Sequence, residues 1–437
     1  MNKEIVKIAF ILFALSSGYS TPVAAQQPAD SLSFQQVMKQ VIDNHPSVKE
    51  AQEALNAATS QIALAKSAYL PTLDFNASYT RLGPVATIDF PGMGTFLFNP
   101  YNNYDAEIDV NQTIYDFGKT TSAVQVEKKK KELNVISIDK AKQSLSLLVT
   151  NNYYTLVYLQ SAIDIKDEEL RNLQSHLEST EKKNNTGSAT KYEILTTQVK
   201  ISTIESQKYD LEAAIRNQLS ILNTLLGLPE DTPHRVMNVL SMETVAPEET
   251  SVAYAIEHRE EMKLAREQTE LEHLNYSAIK SANNPEINAF ASAGFKNGYA
   301  PDLNELRGNY LVGIGVKVPL FDAKKTKNHL QISKSNLISS QLETEVLRRK
   351  IVNEVVESQS GIDASKKKVA QFELQLTHAL QAYELAKISY KSGVITNLDL
   401  LDSETAVAES RLQLLKSRLD QQICILKLKI ATGNHIY

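Results

Sequence analysis

Residues 115–125 read YDFGKTTSAVQ, and residues 321–331 read FDAKKTKNHLQ. Asp116, Lys119 and Thr120 of the first stretch meet Asp322, Lys325 and Thr326 of the second at a shift of 206. The same shift carries Gly187 onto Gly393, Gln207 onto Gln413, Leu222 onto Leu428 and Gly227 onto Gly433. Upstream, SAYLP at 67–71 answers SANNP at 281–285, where changes in loop length have moved the shift to 214. Unrelated helices of similar composition would not hold glycines and an Asp-Lys pair in one register. The chain is a tandem duplication, with repeats at 26–229 and 251–437 and a joining segment at 230–250.

Outward from each motif the chain reads as long helices. No proline occurs between Pro100 and Pro229 or after Pro319, and Gly361 is the only glycine in 119–183 and 325–391. Val369, Phe372, Leu376, Ala379, Tyr383, Ala386 and Tyr390 form an unbroken heptad seam. The seam restarts as Leu398, Leu401, Thr405, Ala408, Leu412, Leu415 and Leu419, a pattern that calls for coiled-coil packing. Some 65 residues at about 1.5 Å each predict a rod of roughly 95–100 Å. Gly187 and Gly393 then mark tight turns, and Gly227 and Gly433 mark the stops of the returning helices.

Before the rods the period changes to two. Leu73, Phe75, Ala77 and Tyr79 alternate with polar residues, as do Tyr104, Ala106, Ile108 and Val110. In the second repeat Tyr310, Val312, Ile314, Val316, Val318 and Leu320 continue the pattern, while Phe290 interrupts the polar side of 286–296. Strands are therefore expected at 71–81, 104–115, 286–296 and 308–320. Apolar-out alternation over about ten residues is the mark of a transmembrane β-strand. Half-buried strands of a soluble periplasmic coiled-coil tether would show the same alternation. The barrel is favoured by an export signal, by Gly-, Pro- and aromatic-rich hairpin loops at 83–103 and 297–307 and by fusion to a rod. Four strands do not close a barrel, since small ones need about eight, so identical chains must share one. Dimer and trimer both meet the count. The fold class is mainly α, with a transmembrane β-barrel contribution.

Composition agrees with an exported protein. Lys3 and Lys7, the apolar Ile8–Leu15 and Val23-Ala24-Ala25 have the layout of a secretory signal spanning 1–25. Its removal takes away Lys3, Glu4 and Lys7 and moves the formal charge from −5 to −6. A mildly acidic chain without a basic patch is not built for nucleic acid. Cys424 is the only cysteine, so no internal disulfide forms. No ligand spacing surrounds His258 or His273, Gly313-Ile314-Gly315 has no following helix, and no nucleophile–base set stands out. The run EKKKKE at 127–132 reads as a solvated helix face. An enzyme is not expected, nor a cofactor or metal.

One stretch remains, GVITNLDLLDSE at 393–404. Thr396 or Asn397 can cap the returning helix, and Asp399 favours its first turn. Repeated by symmetry around an axis, Asp399 and Asp402 would also ring a mouth with carboxylates, the usual cation filter. Capping does not exclude the ring.

Together, the duplication, the Y/F-D-x-G/K-K motif after a strand and YKSGVITNLDLLDSETAVAESRL at 390–412 resemble the TolC-like outer-membrane efflux proteins over about residues 33–433. The resemblance implies a homotrimer with one shared twelve-stranded barrel in outer-membrane lipid and a helical tunnel across the periplasm of a Gram-negative cell. Partners would be a periplasmic adaptor and an inner-membrane pump. It implies that Asp399, Asp402 and Glu193 line the periplasmic entrance and that Tyr390 holds it closed by bonding to Glu193. Adaptor docking would fall on the tips, at Gly187, Ser188, Gly393 and Val394, and the segment 229–249 would form a girdle. Ile395 stands where well-known members carry an arginine, so the closed state must be held differently. Tryptophan is absent, leaving Phe98, Tyr101, Tyr104 and Tyr310 as candidates for the interfacial aromatic belt.

Overall fold

The computed structural model describes residues 31–92, 94–238 and 250–437. The signal read at 1–25 lies outside the described residues, as do residues 239–249 of the joining segment. The first half runs β1 (Ser31–Leu32), α1 (Phe34–Asn44), α2 (Pro46–Ser67), β2 (Thr72–Arg81), β3 (Thr87–Phe90), β4 (Gly94–Leu97), β5 (Asn102–Tyr115), α3 (Lys119–Asn185) and α4 (Lys191–Leu226). There follow β6 (Arg235–Val236), α5 (Val252–His258), α6 (Glu260–Ser281), β7 (Glu286–Lys296), β8 (Arg307–Lys317), α7 (Lys325–Lys391) and α8 (Asn397–Ala431).

The duplicated Asp-x-x-Lys motif is the joint between sheet and rod. Phe117 and Gly118 take φ of 51° and 93°, and Ala323 and Lys324 take 52° and 68°. Two left-handed residues turn the strand sharply into the helix. Asp116 then accepts from the Gly118 and Thr120 amides at 3.1 and 2.7 Å, and Asp322 from those of Lys324 and Thr326 at 3.1 and 2.8 Å. The cap positions themselves offer no side-chain bond, so the aspartate two residues upstream satisfies the orphan amides of the first turn. Past this joint α3 and α7 each run 67 residues, about 100 Å at the α-helical rise.

All four long strands form one antiparallel sheet in the order β2–β5–β7–β8. Register aligns the alternation: Leu73 faces Val110, which faces Ala291, which faces Val312, and the next row is Phe75, Ile108, Ala293 and Tyr310. The apolar face is bare, with Phe75 at 71%, Val312 at 75% and Tyr310 at 84% exposure. On the other face Asp74 and Asp109, then Asn76 and Glu107, lie opposite one another. Phe290 belongs to that polar face and lies over Gly313, where a Cβ would come within 2.5 Å of its ring. It fills the space left by a strand glycine, which explains the break in alternation. Among the described residues β2 and β8 are unpaired on their outer sides.

Two boundaries differ from expectation. β8 ends at Lys317 rather than at residue 320, because Pro319 has no amide to give the ladder; Leu320 and Phe321 stand out at 92% and 86% exposure. The loop expected over 83–103 contains the small β3–β4 hairpin, and β5 begins at Asn102 within its predicted end. Alternation marks long strands well and four-residue ones poorly.

The main core lies midway along the rods. Val37 and Val41 of α1 pack with Val149, Tyr153 and Leu156 of α3, Leu222 of α4 and Leu426 of α8. The Tyr153 hydroxyl donates to the Leu32 and Met237 carbonyls, both at 2.9 Å. It ties the β1–β6 pair to the rod, and burial pushes its phenol up to about 12. Among the described residues no helix is long and apolar enough to cross a membrane.

Candidate functional site

Each rod ends in the same turn. Gly187 and Gly393 take φ of 79° and 74°. Ser188 N donates to Lys183 O and Gly187 N to Asn184 O, at 2.8 and 2.9 Å; Val394 N and Gly393 N repeat the pair on Ser389 O and Tyr390 O at 2.9 and 3.1 Å. This double bond over a left-handed residue closes the last helical turn. Gly187, Ser188, Gly393 and Val394 are all exposed at the end of the molecule.

Returning helices start with matched capping boxes, Thr190 with Glu193 and Thr396 with Asp399. Asp399 Oδ2 accepts from the Thr396 hydroxyl and amide at 2.7 and 2.9 Å. Those bonds, the hydroxyl's first, hold its carboxyl below the usual range. Asp402, one turn on, is exposed. Glu193 divides its oxygens: Oε1 accepts from Thr190, and Oε2 accepts from the Tyr390 hydroxyl at 3.2 Å. The bond spans the two halves of the chain. Burial, then the Glu193 charge, raises the Tyr390 phenol, and the Lys183 ammonium sits 4.7 Å from the ring centroid.

A second bond between the halves was not foreseen. Asn397 is not the cap; Thr396 is, and Asn397 is buried as the first helical residue. Its Oδ1 lies 2.6 Å from His176 Nε2 on α3, and its Nδ2 reaches Thr197 Oγ1 at 3.3 Å on α4. No local signal distinguishes Asn397 from an ordinary capping residue, and His176 sits alone in its stretch of sequence. Their pairing is purely tertiary. Within the single chain Leu398 of the seam is half exposed, whereas Leu401 is buried with Leu170, Leu173 and Ile204.

The other residues weighed in the sequence lie away from the tips. His258 is stacked on Tyr254 at 3.9 Å, and Lys129 of the basic run bridges Glu132 and Glu267 at 2.5 and 2.7 Å. That run is thus partly a helix–helix contact.

Comparison with known proteins agrees with this architecture. The profile of the family described as "Outer membrane efflux protein" matches residues 37–228 and 252–434. The outer membrane protein TolC of Salmonella enteritidis is 21% identical over 98% of this chain and 87% of its own. The outer membrane protein VceC of Vibrio cholerae superposes with a TM-score of 0.77 at 18% identity, covering 92% of this chain and 97% of that one. CusC superposes at 0.79 with 17% identity, covering 94% and 96%. The paired profile matches fall on the two repeats, and the chain belongs to the outer membrane efflux protein family, as an outer-membrane channel and not an enzyme.

Proposed function

We propose that the chain is the passive exit duct of a tripartite efflux or secretion assembly, working as a homotrimer and gated at its helix tips. The observation that carries this reading is the four-stranded sheet at the head of two 67-residue rods, with its apolar face bare and both edges open. Three copies supply twelve strands, whose apolar faces meet lipid and whose polar faces enclose water. The rods continue the conduit through the periplasm, where an adaptor docks on Gly187, Ser188, Gly393 and Val394 and links it to an inner-membrane pump.

In this reading the tips are the gate. Tyr390 to Glu193 is one clasp between the halves, and His176 to Asn397 is another. The second supplies a polar bond close to Ile395, which has none to offer. Asp402 faces the mouth, and Asp399, ionised by its cap, adds charge beside it. Three copies set six carboxylates around one axis and draw cations.

Planar-bilayer conductance of the purified protein tests this. A bond to a partly buried carboxylate is worth about 1.5 kcal/mol at the low end, so Tyr390→Phe is expected to shift the closed-to-open ratio by about ten-fold and raise conductance. Asp399→Asn/Asp402→Asn is expected to lose cation preference while keeping the cap. A double variant that passes and binds cations as the parent does defeats the entrance assignment. Protein that forms no pore defeats the duct.

A further inference from the structure

Above the tip a cavity of about 140 Å³ lies between α3, α7 and α8, and Glu169, Asn172, Tyr383 and Glu404 line it. Two of these are buried acids: Glu169 is 3% exposed and Glu404 is 7%. Glu169 Oε2 accepts from the buried Lys166 ammonium at 2.9 Å. Its Oε1, and Oε1 of Glu404, have no hydrogen-bond partner. Two buried carboxylates thus face one cavity, and among the described residues the one ammonium within ion-pair distance of either is already held by Glu169.

Other charges around the cavity are largely committed. Glu168 of α3 pairs with Arg411 of α8 at 2.8 Å, and Glu384 of α7 pairs with Lys387 at 3.1 Å. Lys387 of α7 and Lys200 of α4 also act on Glu404 from a distance, lowering its affinity for a proton, but neither forms an ion pair with it within 4.0 Å among the described residues. Tyr383, pushed up to about 12 by burial, stays neutral. Burial is the largest influence on Glu404. The Asn172 amide opposes it, the Glu169 charge adds to it, and the group ends at about 7.

We propose that the Glu169–Glu404 cavity is a proton-binding site that couples the packing of α8 against α3, and through it the tip gate, to pH. A proton on Glu404 leaves one net negative charge on Glu169, matched by Lys166, and the two halves pack without an uncompensated charge. Loss of the proton leaves a second, unpaired carboxylate buried between the helices, which weakens the packing of α8 against α3. The proposal rests on reading the tips as a gate. The direction follows from linkage. Glu404 is raised from 4.5 to about 7, so the packed state binds this proton roughly 300-fold more tightly than a solvated glutamate. The stabilisation is complete below about 4.5 and is lost as pH rises through about 7. Acid favours the closed tip, and alkali loosens it.

Two measurements on the full chain test the site: bilayer conductance and thermal midpoint in detergent, each from about pH 5 to about pH 9. Parent conductance is expected to rise several-fold through about pH 7. Glu404→Gln, which keeps the shape without the charge, is expected to stay low and flat. Its midpoint should exceed the parent's at about pH 8 and match it at about pH 5. A Glu404→Gln protein whose conductance and midpoint follow the parent's pH profiles overturns the proposal. Tyr390→Phe at fixed pH separates the readings. If it leaves conductance unchanged, the gate assignment fails, while the midpoint series still decides the proton site.

Discussion

At the scale of single residues, the two halves solve the same problem with different side chains, and the differences can be tested. At the joint between strand and rod, Gly118 takes φ 93° where Lys324 must take 68°. A left-handed lysine costs about 1–2 kcal/mol that glycine escapes, offset by about 0.4–1 kcal/mol from the freer unfolded chain. Lys324→Gly should therefore raise the thermal midpoint, with a net gain of up to about 1.5 kcal/mol, and Gly118→Lys should lower it. The turn glycines and the Thr396 cap were legible in the sequence, because each acts on backbone within a few residues, whereas the joint aspartates showed there only as a repeated motif and Thr190 not at all. Tyr390 and Glu193 came from family resemblance. His176, Asn397 and Glu404 were not legible, because what defines them is a neighbour about 200 residues away in the chain. Burial of a polar side chain leaves no local mark.

At the scale of elements, the strands show how closely a sheet can depend on missing side chains. A Cβ on Gly294 would lie 2.2 Å from the Ala106 carbonyl oxygen, whereas one on Gly313 would meet only the outer ring atoms of Phe290. Backbone cannot yield without breaking the β5–β7 ladder, but a ring can turn. Gly294→Ala should therefore abolish the heat-modifiable, folded band on gels, while Gly313→Ala should retain it with a midpoint lowered by roughly 1–3 kcal/mol of overpacking. Equal behaviour of the two variants would contradict the register. Periodicity revealed all four long strands and both rods, since each repeats its signal over ten residues or more. It missed β3 and β4, four residues each, and it overran β8 because Val318 and Leu320 keep the alternation after Pro319 has ended the ladder.

At the scale of the whole molecule, the open edges of β2 and β8 set the terms of assembly. Each edge leaves a row of unpaired amides and carbonyls that lipid cannot satisfy, at several kcal/mol per group. If the chain is the proposed trimer, cross-linking in the membrane should give a ladder ending at three chains, and denaturation should dissociate and unfold the sheet in one step. A stable monomer with an intact sheet in the membrane would contradict shared closure. The open edges also have a genetic consequence. A copy whose sheet pairs but whose tip is damaged would enter assemblies alongside sound copies and spoil them. In the proposed trimer, with equal expression and free mixing, only about one assembly in eight would be wholly sound, so such alleles should be dominant.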